Sequence, residues 1–269
     1  RRDEVDPHPA PLARRQRRQR DIGDAKLDLG DKEGARAAFQ AALEISEALA
    51  SEYPGDVVIR RNLSVSYERI GDMQVDEGDY PAALETYASA LTIREELAAL
   101  DPDNKPRQRD LAINFDRIGD VQKYMDDMDS AALSYQAALS IRQKLAALDP
   151  TNMVWQRDLL VSLDRTGDIH FTANDFVAAL EAQDEARQIA EKLVSLNPDD
   201  PMGQSGLALA LKKIGDIKGA MGDSPGAREA LQSALALQVP LADAEPSNAE
   251  YQRDVARSQS ALAELDLAE

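Results

Sequence analysis

Five aspartates, Asp24, Asp72, Asp120, Asp168 and Asp216, stand 48 residues apart, each directly after a glycine. Carboxylates repeated this way suit three kinds of chemistry: metal ligation, capture of a cationic partner, or pairing with basic residues of the chain itself. Distance excludes one ion shared along the ladder, because packed helices lie about 8–10 Å apart and a calcium ligand within about 2.6 Å of its ion. The ordinary alternative is a salt bridge to Arg69, Arg117, Arg165 or Lys213, each three residues upstream on the same helix, or an equivalent bridge between repeats. Other reactive groups are scarce. Without cysteine, thiolate metal sites and disulfides are excluded. Of the two histidines, His8 and His170, the second occupies a repeat position otherwise held by Gln or Lys, as a surface residue would. No G-x-x-x-x-G-K loop, nucleophile elbow or H-E-x-x-H motif is present. The expectation is no catalytic residue, no metal and no cofactor.

The elements that position these aspartates repeat with them. Gly23, Gly71, Gly119, Gly167 and Gly215 keep the 48-residue step, and so do three further registers: Ala35 to Ala227, Ala42 to Ala234 and Pro54 to Pro246. Unbroken matches in every register identify a repeat protein. Within a unit the apolar spacing is helical: Leu111, Phe115, Ile118 and Val121 in one arm, and Ala131, Tyr135, Ala138, Ile141, Leu145 and Leu148 in the other. Gly30, Gly78, Asp126, Asn174 and Gly222 fall where the first arm must turn, and tolerate a left-handed helix end. Asp79 or a neighbour then caps the second arm, with Pro81 and Pro225 in its first turn, and "LDPDN"-type segments end it. The spacing predicts an all-α solenoid of five hairpins, each with arms of about 20 residues or roughly 30 Å. The units run at about 12–56, 57–104, 105–152, 153–200 and 201–248, after a linker over 1–11 and before a capping helix over 249–269. There Ala263 replaces the expected glycine. A mid-helix glycine costs about 1 kcal/mol against alanine, so five of them imply a close helix approach, expected opposite the two alanine registers.

Composition limits the partners. The chain is 43% hydrophobic but 4% aromatic, and its net charge is −18. Residues 1–20 carry +4 through seven arginines, which leaves −22 on the remainder, a body that repels nucleic acid and anionic membrane surfaces. In the "ARRQRRQR" stretch, Arg15 and Gln19 take the places of Leu63 and Tyr67, as in a solvated capping end. The same stretch would also suit a face against an upstream domain. No apolar run approaches the roughly 20 residues of a membrane helix. The first residue is Arg, as in a processed chain or a piece of a longer one. Arginine heavily outnumbers lysine and alanine is abundant, a bias associated with GC-rich bacterial genomes, and a cytoplasmic location is expected.

The residues Tyr67-x-x-Ile70-Gly71, Phe115-x-x-Ile118-Gly119, Ala83-x-x-x-Tyr87 and Ala131-x-x-x-Tyr135 resemble the tetratricopeptide repeat family. The departures are a 48-residue unit where that family usually has 34, and Lys26, Gln74, Gln122, His170 and Lys218 where it has an aromatic. Long-armed versions resemble arrays attached to large bacterial signalling proteins. The resemblance implies a right-handed superhelix whose concave face, lined by the first helices, binds a protein or peptide. Residues implied there are Glu68, Asp72, Asp76, Asp116, Asp120, Asp164, Asp168 and Asp216, with Lys123, Tyr124, Phe171 and Lys212. Acids outnumber bases, so the expected partner is a basic or polar segment, including the Arg-rich start of this chain or of a second copy. Two functions compete: a non-catalytic interaction scaffold, and a sensor or regulatory arm acting on an effector domain of a larger bacterial signalling or defence protein.

Overall fold

The computed structural model describes residues 10–268, so most of the linker assigned to 1–11, with His8, lies outside the described residues. All regular structure among the described residues is helical. The chain forms two compact units, residues 1–138 and 139–269. The first holds α1 (Ala10–Asp28), α2 (Lys32–Glu52), α3 (Val57–Asp76), α4 (Tyr80–Leu100), α5 (Lys105–Tyr124) and the start of α6 (Met128–Leu148). The second holds the end of α6, then α7 (Met153–Thr172), α8 (Phe176–Leu196), α9 (Pro201–Ala220), α10 (Ser224–Ala244) and α11 (Ala249–Ala268). Within the first unit α1 to α5 each pack on the next helix in sequence, and within the second α7 to α11 do the same, the arrangement of an α-solenoid.

Local chemistry explains the hairpins. Gly30, Gly78 and Gly222 adopt φ of 78°, 78° and 82°, and Asp126 and Asn174 take the same left-handed place at 64° and 59°. The next residue's N–H then reaches back five places, as in Asp31 to the Lys26 carbonyl at 2.8 Å and Asp175 to that of His170 at 2.9 Å. That same residue is always an aspartate, and its carboxylate accepts from the amide three residues on: Asp31 from Gly34, Asp79 from Ala82, Asp127 from Ser130, Asp175 from Ala178 and Asp223 from Gly226. One residue thus closes the first helix and caps the second. Asp79→Ala should cost about 1 kcal/mol in urea unfolding; a change below about 0.3 kcal/mol would remove capping as the reason for the aspartate.

Inside each hairpin the glycine lies under a large side chain of the second helix rather than opposite the alanines. A Cβ on Gly23 would stand 2.4 Å from the Phe39 ring, on Gly71 2.4 Å from Tyr87, and on Gly119 2.6 Å from Tyr135. Gln183 covers Gly167 and Leu231 covers Gly215, where the Ala227 carbonyl also lies 3.3 Å away. The Ala35 to Ala227 register is fully buried, so small residues and one broad ring share the interface. Ala263, on α11, is exposed: among the described residues no second helix covers it, and a glycine is not needed. Leu148, expected on the buried stripe, is exposed, and the stripe instead contains Arg142. Arg94 holds the same place in α4, and both arginines are 4% exposed. Ser46 and Ser66, 2.9 Å apart, and Arg142 donating to Ser162 at 2.7 Å continue this polar layer between successive repeats.

Candidate partner-binding faces

In the first unit the first-helix faces of α3 and α5 carry a connected charge network. Arg94 and Arg117 both pair with Glu68, and Arg117 also reaches the Asp72 carboxylate. Tyr87, whose ring covers Gly71, donates its hydroxyl to Asp72 at 2.6 Å. Tyr135 does the same for Asp120 at 2.7 Å. Burial raises the Asp72 pKa against the pull of Arg117, whereas Arg94 and Arg117 overcome burial at Glu68 and hold it below the usual glutamate value. A cleft of about 210 Å³ opens over the network, lined by Asp72, Asp76, Asp120 and Tyr124 among the expected residues, together with Arg117 and Tyr87. Tyr124 is 59% exposed, stacked on Tyr80 with ring centroids 5.1 Å apart. Lys123 is exposed beside it. Asp116 departs from the expected surface position: it is buried at 5% exposure, its carboxylate one methylene shorter than that of Glu68 at the same repeat place.

In the second unit α7 and α9 repeat the theme with different side chains. Asp168, Phe171, Lys212 and Asp216 line a cleft of about 240 Å³ with Gln183 and Lys213. Lys213 sits 2.5 Å from Asp164 and 2.6 Å from Asp168, while Lys212 reaches Asp216 at 2.5 Å. The glycine-linked aspartates are therefore tied largely across the repeat. Arg69 approaches Asp24 at 3.3 Å but its own-helix Asp72 only at 3.7 Å, and Arg117 and Lys213 likewise reach back one repeat, to Asp72 and Asp168. Among the described residues no group of three or more acidic, His or Cys side chains is arranged to hold a metal ion. His170 lies at the end of α7, 3.5 Å from the capping Asp175.

The Lys213 cluster gives a pH dependence. Burial disfavours the ammonium, but Asp164 and Asp168 outweigh it and hold its pKa above the ordinary lysine value. A raised folded pKa means that the contribution is full below the unfolded value of about 10.4 and is lost as pH rises through the folded one. Lys213→Met should therefore flatten the fall in melting temperature between about pH 10 and 12; an unaltered alkaline slope would show that the cluster contributes nothing there.

The comparisons agree with this architecture. Residues 21–49 match the tetratricopeptide repeat model. An array of nearly identical TPR-like repeats from a Podosopora anserina kinesin-light-chain protein superposes with a TM-score of 0.62 at 12% identity, over 87% of this chain and 97% of that one. BtubC from P. vanneervenii gives 0.59 at 18% identity, over 87% and 89%. The apo form of RapI gives 0.60 at 13% identity, over 94% of this chain and 71% of that one. No curated protein matches the sequence. The chain has the fold of tetratricopeptide-type repeat proteins, and no described helix is long and apolar enough to cross a membrane.

Proposed function

We propose that this tetratricopeptide-type chain is a non-catalytic, cytoplasmic scaffold that binds a basic or polar protein segment on the faces of its first helices. One observation carries the reading: each unit has a cleft between successive first helices in which aspartates of the repeated ladder stand beside an exposed aromatic side chain, Tyr124 in one and Phe171 in the other. The ladder aspartates are common to both clefts, whereas Tyr124, Phe171 and Lys123 differ from repeat to repeat and supply the variation on which selectivity rests. Much of the local acid is already neutralised by Arg117 and Lys213, and the most exposed carboxylate lining the Tyr124 cleft is Asp76, 52% exposed and 3.7 Å from the Lys32 ammonium. The charge of −22 beyond residue 20 disfavours nucleic acid as the partner.

The test avoids the aspartates that also hold the fold. Labelled Lys/Arg-rich decapeptides and matched acidic ones would be titrated by fluorescence anisotropy at about 50 and 300 mM salt. The basic peptides alone should bind, weakening with salt, and Asp76→Lys, Tyr124→Ala and Phe171→Ala should each weaken them several-fold while leaving melting unchanged. Equal binding of acidic peptides, or indifference to all three substitutions, would reject the reading.

A further inference from the structure

The space between α7 and α9 holds a cavity of about 200 Å³, lined by Arg157, Leu160, Asp164, Gln183, Ala186, Gly206 and Ala210, with Val161, Met202 and Leu209 exposed at its rim. Its origin is visible in the first unit. There Arg94 fills the equivalent space: its guanidinium pairs with Glu68, donates to the Asp110 carbonyl at 2.9 Å and meets the Ser64 hydroxyl at 3.4 Å. Moved on by two 48-residue steps, those three partners become Asp164, Gly206 and Leu160, all in the cavity wall, and Arg94 becomes Ala190. The cavity is thus the berth of a missing arginine. Gly206 widens it further, standing where other repeats have Asn62, Asp110 and Asp158; an added Cβ there would meet only Leu160, at 3.8 Å. Without a carboxylate at 206, Arg157 turns to Asp200 at 2.5 Å, whereas Arg61 in the first unit binds Asp110.

We infer that this cavity receives the side chain of an arginine presented by a partner segment. The inference rests on the reading above and names the residue that the scaffold would select. Three features favour a guanidinium over a hydrocarbon anchor. The Gln183 amide oxygen, on a side chain only 1% exposed, has no hydrogen-bond partner and needs a donor. Asp164 keeps a carboxylate at the repeat place of Glu68, the cluster of Asp164, Asp168 and Lys213 remains net negative, and the Arg157 guanidinium in the wall is already paired with Asp200. The second unit as a whole has 21 acidic against 12 basic residues, a charge of −9 that attracts a cationic segment. The walls of Leu160, Ala186 and Ala210 suit the aliphatic stem of the same side chain. An apolar cavity of about 150 Å³ suffices to bind benzene, so the volume accommodates the whole side chain. A lysine offers a strongly hydrated point charge without the planar fork that would meet Asp164, the Gly206 carbonyl and Gln183 together.

The experiment is an amide NMR titration of the 15N-labelled chain with a blocked Gly/Ser octapeptide carrying one central arginine, and with its lysine, leucine and citrulline twins. The arginine peptide should give saturable shifts at the amides of Asp164, Gly206 and Ala210, with a Kd at least about tenfold lower than any twin. Gly206→Leu, whose Cβ meets only Leu160 at 3.8 Å and whose branch enters the cavity, should remain folded and lose this binding by at least tenfold, and Ala190→Arg, which refills the berth from within, should do the same. Leucine or citrulline binding as tightly as arginine, absence of saturable shifts, or arginine binding that survives both substitutions would overturn the inference. If Lys/Arg-rich peptides still bind Gly206→Leu but fail on the Tyr124→Ala and Phe171→Ala chains, the cavity assignment falls while the proposed function stands.

Discussion

Gly119→Ala should destabilise the first unit by about 1–2 kcal/mol even though alanine is the better helix former. The propensity gain is about 1 kcal/mol, and a methyl 2.6 Å from the Tyr135 ring must displace a fully buried aromatic, an overpacking cost of about 1–3 kcal/mol or more. Gly119→Leu drives four carbons into the same contact and should cost more than about 3 kcal/mol. The other glycines supply internal controls. Gly167 lies under Gln183, whose amide tip can swing aside, so Gly167→Ala should be near neutral. Gly206→Ala meets open space and should stabilise by up to about 1 kcal/mol. Because each repeat touches only its neighbours, the loss should appear as faster amide exchange around α5 and α6 before global melting moves. Unchanged exchange and melting in Gly119→Leu would defeat the packing account.

What could be read in the sequence was whatever local geometry dictates. Gly78 and Asp126 at the same place, an aspartate one residue later and Pro81 in the next turn each demand a backbone state that needs no knowledge of neighbours. The partner of the glycine was not readable in that way. A constant period fixes which residues are equivalent but not the offset between the two arms, so the expectation of alanines opposite the glycine missed Tyr87, which the hairpin places over Gly71. The aspartate bridges were ambiguous for the same reason: Arg117 lies three residues from Asp120 on its own helix and 45 from Asp72 one repeat back, and the period leaves both geometries open. The buried arginines did leave a signal. Ala90, Arg94 and Leu97 follow the four- and three-residue steps of the core stripe, as do Ala138, Arg142 and Leu145, and an arginine on such a stripe requires partners inside. Those partners lie on three different turns of two helices, and that convergence is tertiary information.

Arg94→Ala should be the most damaging single substitution of a polar residue in the chain, at about 3–5 kcal/mol. Arg94 is 4% exposed, and its loss strips the Ser64 hydroxyl, the Asp110 carbonyl and one side of Glu68 of a shared donor while opening a cavity. Ala190 is harmless at the equivalent place because Leu160 replaces the serine and Gly206 the aspartate, so fewer polar groups are stranded. Ser64→Leu added to Arg94→Ala should accordingly recover about 1–2 kcal/mol by filling the opened cavity, because the Ser64 hydroxyl, which keeps its bond to the Arg61 carbonyl at 2.8 Å, occupies little of that space. A chemical rescue separates a lost guanidinium from lost packing. With methylguanidinium at 20 mM and a Kd of about 10 mM for the vacated berth, binding to the folded state would return about 0.6 kcal/mol. The denaturing action of a guanidinium salt at that concentration is only about 0.1 kcal/mol, from a slope of roughly 2–6 kcal/mol per molar. The Arg94→Ala chain should therefore melt higher in 20 mM methylguanidinium, and the parent chain, whose berth is full in the first unit, should gain only through the cavity between α7 and α9. Gly206→Leu closes that second berth, so in its background the parent response should vanish while the Arg94→Ala response persists; equal responses in all these chains would mean that neither space recognises a guanidinium.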